Sequence, residues 1–214
     1  MFLRLVVFAA LVPLASFGQR FQFGVKGGVP LSDTMETGSA YGEGATSATR
    51  RYTVGPTVEL GLSHGFSVEF DALYRRLGFD DTEYFAPEFT LTRTTAGSWE
   101  YPILGKFRFL RRPIMSLYVD GGPAFRGITG VSSTTRQYYG GLGGPFSTTT
   151  TFSSATLNNR SSHGVVVGVG ADFHTWLPHI SPEVRYTRWG TGQNLDSVLQ
   201  SNPNQLDLLV GLTF

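Results

Sequence analysis

The chain has 214 residues, a formal net charge of +1, 15% charged residues and no cysteine. The near-balanced charge leaves no basic footprint for nucleic acid, and the missing cysteine excludes disulfides, thiolate metal sites, a thiol nucleophile and a lipoprotein anchor. Charged residues fall below the roughly 25% usual in soluble domains, whereas 27 glycines and 14% aromatic residues are high.

Residues 1–18 read as a cleavable signal peptide. Arg4 gives the positive start, residues 5–14 an apolar core broken by Pro13, and Ser16-Phe17-Gly18 the small residues near a cleavage site. A permanent membrane anchor is the alternative, but the run is short for a helical span. The mature chain then starts at about Gln19, and residues 19–214 are long enough for one domain.

From there the pattern alternates with a period of two, the mark of strands with one apolar face. The first expected strand is 20–30, with Phe21, Phe23, Val25 and Val29 opposite Gln22 and Lys26. A polar stretch, 31–50, leads to a second at 51–63, where Pro56 favours a bulge. His64-Gly65 is a tight-turn signal, and a third strand follows at 66–79. A polar loop at 80–94 precedes a fourth strand, 95–109, and a short basic link joins it to a fifth, 115–128. Residues 129–161 read as the longest loop, rich in Gly, Ser and Thr. The sixth strand, 162–173, sets Val165, Val167 and Val169 against Val166 and small glycines. A turn at 174–179, a seventh strand at 180–189 and a polar loop at 190–204 lead to the tail strand, 205–214.

That tail, QLDLLVGLTF, alternates Leu206, Leu208, Val210, Leu212 and Phe214 with polar neighbours. About ten such residues cross a bilayer as a tilted strand. Connections alternate long and short, as in outer-membrane barrels with short periplasmic turns and long outer loops. The fold class is therefore all-β: an eight-stranded antiparallel up-and-down transmembrane β-barrel. A lipocalin also has eight strands, but its exterior needs more charge than this chain carries.

One face of nearly every strand is apolar. The other carries Lys26, Glu59, Glu69, Asp71, Arg75, Glu100, Lys106, Arg108, Asp120, Arg126, Asp172, Glu183, Arg185 and Asp207. A lipid-facing Lys or Arg costs about 2–4 kcal/mol at the midplane, so these charges belong inside, as a lumen network of eight acids and six bases. Glu100 with Arg108, or Asp71 with Arg75, has the look of a catalytic pair, but an ion-pair lattice filling the lumen is the simpler expectation. A barrel of this size is just wide enough for side chains to fill. Trp99, Tyr101, Phe109, Trp176, Tyr186 and Trp189, near strand ends, fit interfacial girdles; ordinary core packing is the alternative.

Residues 99–109, WEYPILGKFRF, a basic turn, and residues 117–127, LYVDGGPAFRG, resemble the core of the PorT-like outer-membrane β-barrel proteins. PEVRYTRW and the final LLVGLTF resemble that family's last two strands. OmpA- and OmpX-type barrels share the architecture without these motifs. The resemblance implies an outer-membrane location in a Gram-negative bacterium, with outer-membrane lipid as surroundings. It also implies a terminal signal at Leu208, Val210, Leu212 and Phe214 for the barrel-assembly machinery. It implies little about activity, since the family includes secretion-linked members.

No cofactor is expected. His174 and His179 flank a turn, yet no acid or cysteine beside them completes a metal site. His163 with Ser161 or Ser162 is the one candidate for a lipid-modifying enzyme, and adjacent residues of a strand point apart. The Gly140–Gly144 run lacks the strand before and the Lys-Ser/Thr after that a phosphate loop needs, and the sequon at Asn159 has little meaning for such an exported protein. The expected role is non-enzymatic, structural or interacting with a protein or surface ligand through the long outer loops. Secretion and a narrow channel are the alternatives.

Overall fold

Two-residue alternation is satisfied where one face of a strand meets an apolar medium and the other a polar one. The computed structural model describes residues 21–32, 35–37, 39–40, 43–85, 88–139, 147–153, 161–174, 178–190 and 199–214. The expected signal peptide at residues 1–18, the Gly140–Gly144 run, Asn159 and Trp176 lie outside the described residues.

The strands are β1 (Phe21–Pro30), β2 (Met35–Thr37), β3 (Ser39–Ala40), β4 (Glu43–Ser47), β5 (Thr53–Gly61), β6 (Phe66–Asp71) and β7 (Leu73–Phe85). They continue as β8 (Glu88–Arg111), β9 (Met115–Tyr139), β10 (Ser147–Ser153), β11 (Ser161–Phe173), β12 (His179–Trp189), β13 (Leu199–Ser201) and β14 (Asn204–Thr213).

β1 pairs with β5 on one side and β14 on the other, and the ring closes through β6–β7, β8, β9, β11 and β12, every pairing antiparallel. β6 and β7 form one stave interrupted at Ala72, so the ring has eight staves. Closure leaves the membrane-crossing part without an edge, which is what lipid demands of a sheet. The seam joins the two ends of the domain: Val25 faces Leu212, the Phe214 N–H donates to the Phe23 carbonyl at 2.9 Å, and those two rings lie 6.3 Å apart. At the opposite parity Leu209 is fully buried, whereas Leu208 beside it is 40% exposed.

The short connection after β5 is a hairpin turn with positive φ at His64 (59°) and Gly65 (92°), the two-residue geometry that matches strand twist. Pro56 produces no bulge. Thr57–Asp71 and Val54–Tyr74 keep one register across it, and the break falls instead on the neighbouring stave at Ala72, whose N–H still donates to the Pro56 carbonyl at 3.0 Å. Proline lacks the N–H that would return the bond.

The polar stretches depart further from expectation. Residues 80–94 are not a loop: β7 and β8 run on as a hairpin to Phe85 and Glu88. Residues 129–161 contain the rest of β9, to Tyr139, and β10, which pairs back onto it. Within 31–50, β4 pairs with β7 and β3 with β4. The sheet β10-β9-β8-β7-β4-β3 thus continues three barrel staves beyond the rim. These segments are rich in Thr, whose β-branched side chain favours strands whatever its polarity. A bulge marks the passage from barrel to extension: β9 takes an extra residue opposite Thr95–Gly97, with Gly130 at φ 62°.

Candidate functional site

The lumen is built from the inward parity of the staves. All fourteen charged residues of the expected network point there; thirteen are buried and Arg108 is largely so. Lys26 on β1 sits among Glu69, Asp71 at 3.4 Å and Glu183 at 2.9 Å. Lys106 on β8 reaches Glu69 at 2.5 Å and Glu59 at 3.1 Å. Arg185 on β12 joins Glu183 at 2.5 Å, Asp71 at 2.8 Å and Glu69 at 3.4 Å. Three cations from three staves therefore share Glu69, which ties the ring together across its interior.

Two outlying groups flank this centre. Towards the short turns, Arg108 bonds Glu59 and Asp172, each at 2.6 Å, and Ser67 at 2.9 Å. Towards the long connections, Arg126 bonds Glu100 at 2.8 Å and Gln205 at 2.5 Å, and Arg75 bonds Asp207 at 2.7 Å. The same-strand pairs, Glu100 with Arg108 and Asp71 with Arg75, are not formed. Residues eight or four apart on a strand lie more than about 12 Å from each other, so those two pairs cannot close; apart from Arg185 with Glu183, two residues apart on β12, the partners come from other staves. Asp120 lies opposite Lys106 in register, yet neither carboxylate oxygen has a hydrogen-bond partner among the described residues. The lattice holds two more acids than bases, and here one acid is left over.

Neutral groups complete the filling. Lys106 stands 4.2 Å over the Tyr118 ring and Arg126 stacks at 3.8 Å on Trp189. A Cβ at Gly168 would meet Asp120 at 2.4 Å, and one at Gly170 would meet the Tyr118 ring at 2.4 Å, so these glycines make room for larger neighbours. Trp189 is only 2% exposed and faces inward, which removes it from the expected girdle. It shares the parity of Arg185 and Glu183, a signal already present in the sequence. Gln205, likewise missed, shares the parity of Asp207. Trp99, Tyr101, Phe109 and Tyr186 do face outward, and Tyr74, Trp99 and Tyr101 form a continuous aromatic strip with ring separations of 5.2 and 6.3 Å.

Above the charges, Leu77, Ala96 and Ile128 pack as an apolar layer with Val131 against it. At the other end a cavity of about 400 Å³ opens at the short turns, lined by residues that include Glu59, His64, Arg108, Asp172, His174 and His179. The His174 and His179 rings stand perpendicular with centroids 5.4 Å apart. No group of three or more metal-ligating side chains suited to an ion occurs among the described residues. Ser162 is buried in the lumen while His163 faces outward and is exposed, so their side chains lie on opposite faces of β11. Leu208, Val210, Leu212 and Phe214 all face outward beside β1 and β12.

The family model described as outer membrane protein beta-barrel domain matches residues 14–190. The chain belongs to that family. Its place is the bacterial outer membrane, and the apolar outer face of the ring is the face that lipid covers. The fold is similar to that of OprG from Pseudomonas aeruginosa, at 11% identity over 92% of this chain and 95% of that one, with a TM-score of 0.53. Neisserial surface protein A matches at 15% identity over 92% and 97% of the two chains, with a TM-score of 0.42. Ail of Yersinia pestis matches at 12% over 92% and 97%, with a TM-score of 0.39. No curated protein sequence matches this one.

Proposed function

We propose that this is a plugged, non-enzymatic outer-membrane barrel of PorT-like type, which works through the sheet that its staves extend beyond the outer rim. The observation that carries the reading is the filled interior. Glu69 at the centre of three cations, with the apolar layer of Leu77, Ala96 and Ile128 above, supports an interior closed to solutes. A network of this kind acts as a rigid pillar: removing one member strands its partners in a dry interior. Ser162 is separated from His163 by the wall of the barrel, and Ser161, which shares the outward face of β11 with His163, has no acid of that strand beside it, which supports a non-enzymatic role. The outward residues Leu208, Val210, Leu212 and Phe214 act during biogenesis, as the signal read by the barrel-assembly machinery.

What stands outside is broad and polar. On the face that continues the lumen, Thr92 meets Thr135 at 3.1 Å and Thr94 meets Ser133 at 2.7 Å, hydroxyl to hydroxyl. At the rim of this sheet, β10 leaves Phe152 77% exposed. These are contact surfaces for a protein or surface ligand. Two measurements test the reading. Purified protein in planar bilayers should give no stepwise conductance; discrete channels would refute the plug. A deletion strain should lose a surface or secreted-protein phenotype that full-length protein restores and a barrel trimmed of β10 and the β7–β8 hairpin does not; full rescue by the trimmed barrel would refute the role of the extension.

A further inference from the structure

Two staves on opposite sides of the ring repeat one arrangement on their outer surface. On β7, Tyr74 faces outward and Arg76 follows it on the same face; on β12, Tyr186 faces outward and Arg188 follows. Both strands run away from the short turns, so each arginine stands one outward step, about 6–7 Å along the strand, beyond its tyrosine. Tyr74 belongs to the aromatic strip with Trp99, and below Tyr186 lies the exposed Val184. Each arginine therefore sits at the margin of the apolar band.

The surroundings leave both guanidinium groups open to the outside. Gly97, opposite Arg76 in register, has no side chain to cover it. Arg188 pairs in register with Val165 and Asn204, and Asn204 accepts the Tyr186 hydroxyl at 2.7 Å. Exposed His163 is two residues farther along β11, its carbonyl taking the Gly190 N–H at 2.8 Å. Neither Arg76 nor Arg188 has an ion-pair partner among the described residues. Farther out on the same face come Arg136 and Arg93, the latter held at 3.3 Å to Asp80, the one acid that the described parts of β7, β8 and β9 place on this face.

We propose that Arg76 and Arg188 are seats for the phosphate groups of outer-leaflet lipid, with His163 and Asn204 lining the second seat. The face is continuous with the lipid-covered band, so its neighbour at this height is a headgroup. A guanidinium fork matches phosphate oxygens in pairs, and a tyrosine beneath it fits the interface between acyl chains and headgroups. An excess of cations with one compensated acid selects an anionic headgroup over a zwitterionic one. The assignment rests on reading the long-connection end as the outer side.

Native mass spectrometry of the full barrel released from detergent tests it, with lipid A carrying its phosphates, the same lipid with the phosphates removed, and phosphatidylethanolamine as probes. Wild-type protein should retain phosphorylated lipid A selectively. Arg76→Gln and Arg188→Gln should each weaken retention about fivefold, with Arg76→Lys and Arg188→Lys recovering only part of it, because an ammonium keeps the charge and loses the paired geometry. Both positions are exposed, and heat-modifiable gel migration shows that each variant is folded before it is scored. Equal retention of phosphorylated and dephosphorylated lipid, or undiminished retention by the glutamine double variant, would overturn the proposal. The measurement is made in detergent, so its outcome is independent of conductance and of the role of the extension.

Discussion

The same strands live in two environments, and β8 shows the contrast along a single chain segment. Between Tyr101 and Phe107 its odd residues meet lipid and its even residues, Leu104 and Lys106 among them, are sealed in the lumen. From Glu88 to Thr95 it is still a strand, still paired with β7 and β9, but each face is open enough that its side chains are mostly half-buried or exposed. In the barrel the two faces are chemically opposite, charge against hydrocarbon. In the extension both carry hydroxyls, with isolated aromatic and charged residues. Alternation is thus a record of the surrounding medium, whereas strand formation itself needs only pairing and β-branched side chains.

That contrast can be broken from the inside first. Arg185→Leu removes the cation shared by Glu183, Asp71 and Glu69, and should cost about 3–5 kcal/mol in urea unfolding of the barrel in lipid vesicles. Next comes the outer face. Val167→Arg places a charge on an exposed outward position of β11 and should cost about 2–4 kcal/mol, while Leu91→Arg, of outward parity on β8 but beyond the rim, should stay within about 0.5 kcal/mol. In the extension, Thr94→Val deletes the hydroxyl contact to Ser133 and should cost about 1 kcal/mol, read in the same way. The smallest effect should come from removing β10, which pairs only with β9 beyond the ring; heat-modifiable migration should persist.

The sequence made the barrel legible for the reason just given. In β14, hydropathy alone would treat Leu208 and Leu209 alike, but parity sends one to lipid and the other to the core. The inward charges were legible too, because each sits opposite an apolar neighbour. Their partners were not. Arg75 finds Asp207 and Lys26 finds Glu183 across the ring, and no linear spacing encodes such distances. The extension has the sequence pattern of a loop because its two faces share one solvent, which erases the two-residue signal while leaving threonine's strand preference in place. Aromatic character alone places Trp189 in the girdle; its parity with Arg185 turns it inward, onto Arg126.

The most direct test of the outward-apolar, inward-charged ring uses the absence of cysteine, which makes any introduced thiol unique. Single cysteines at residues 205–213, spin-labelled in a bilayer, should show oxygen accessibility that rises at Leu206, Leu208, Val210 and Leu212 and falls at Gln205, Asp207, Leu209 and Gly211. A profile with no two-residue period, or one in which Leu209 is as accessible as Leu208, would contradict the account.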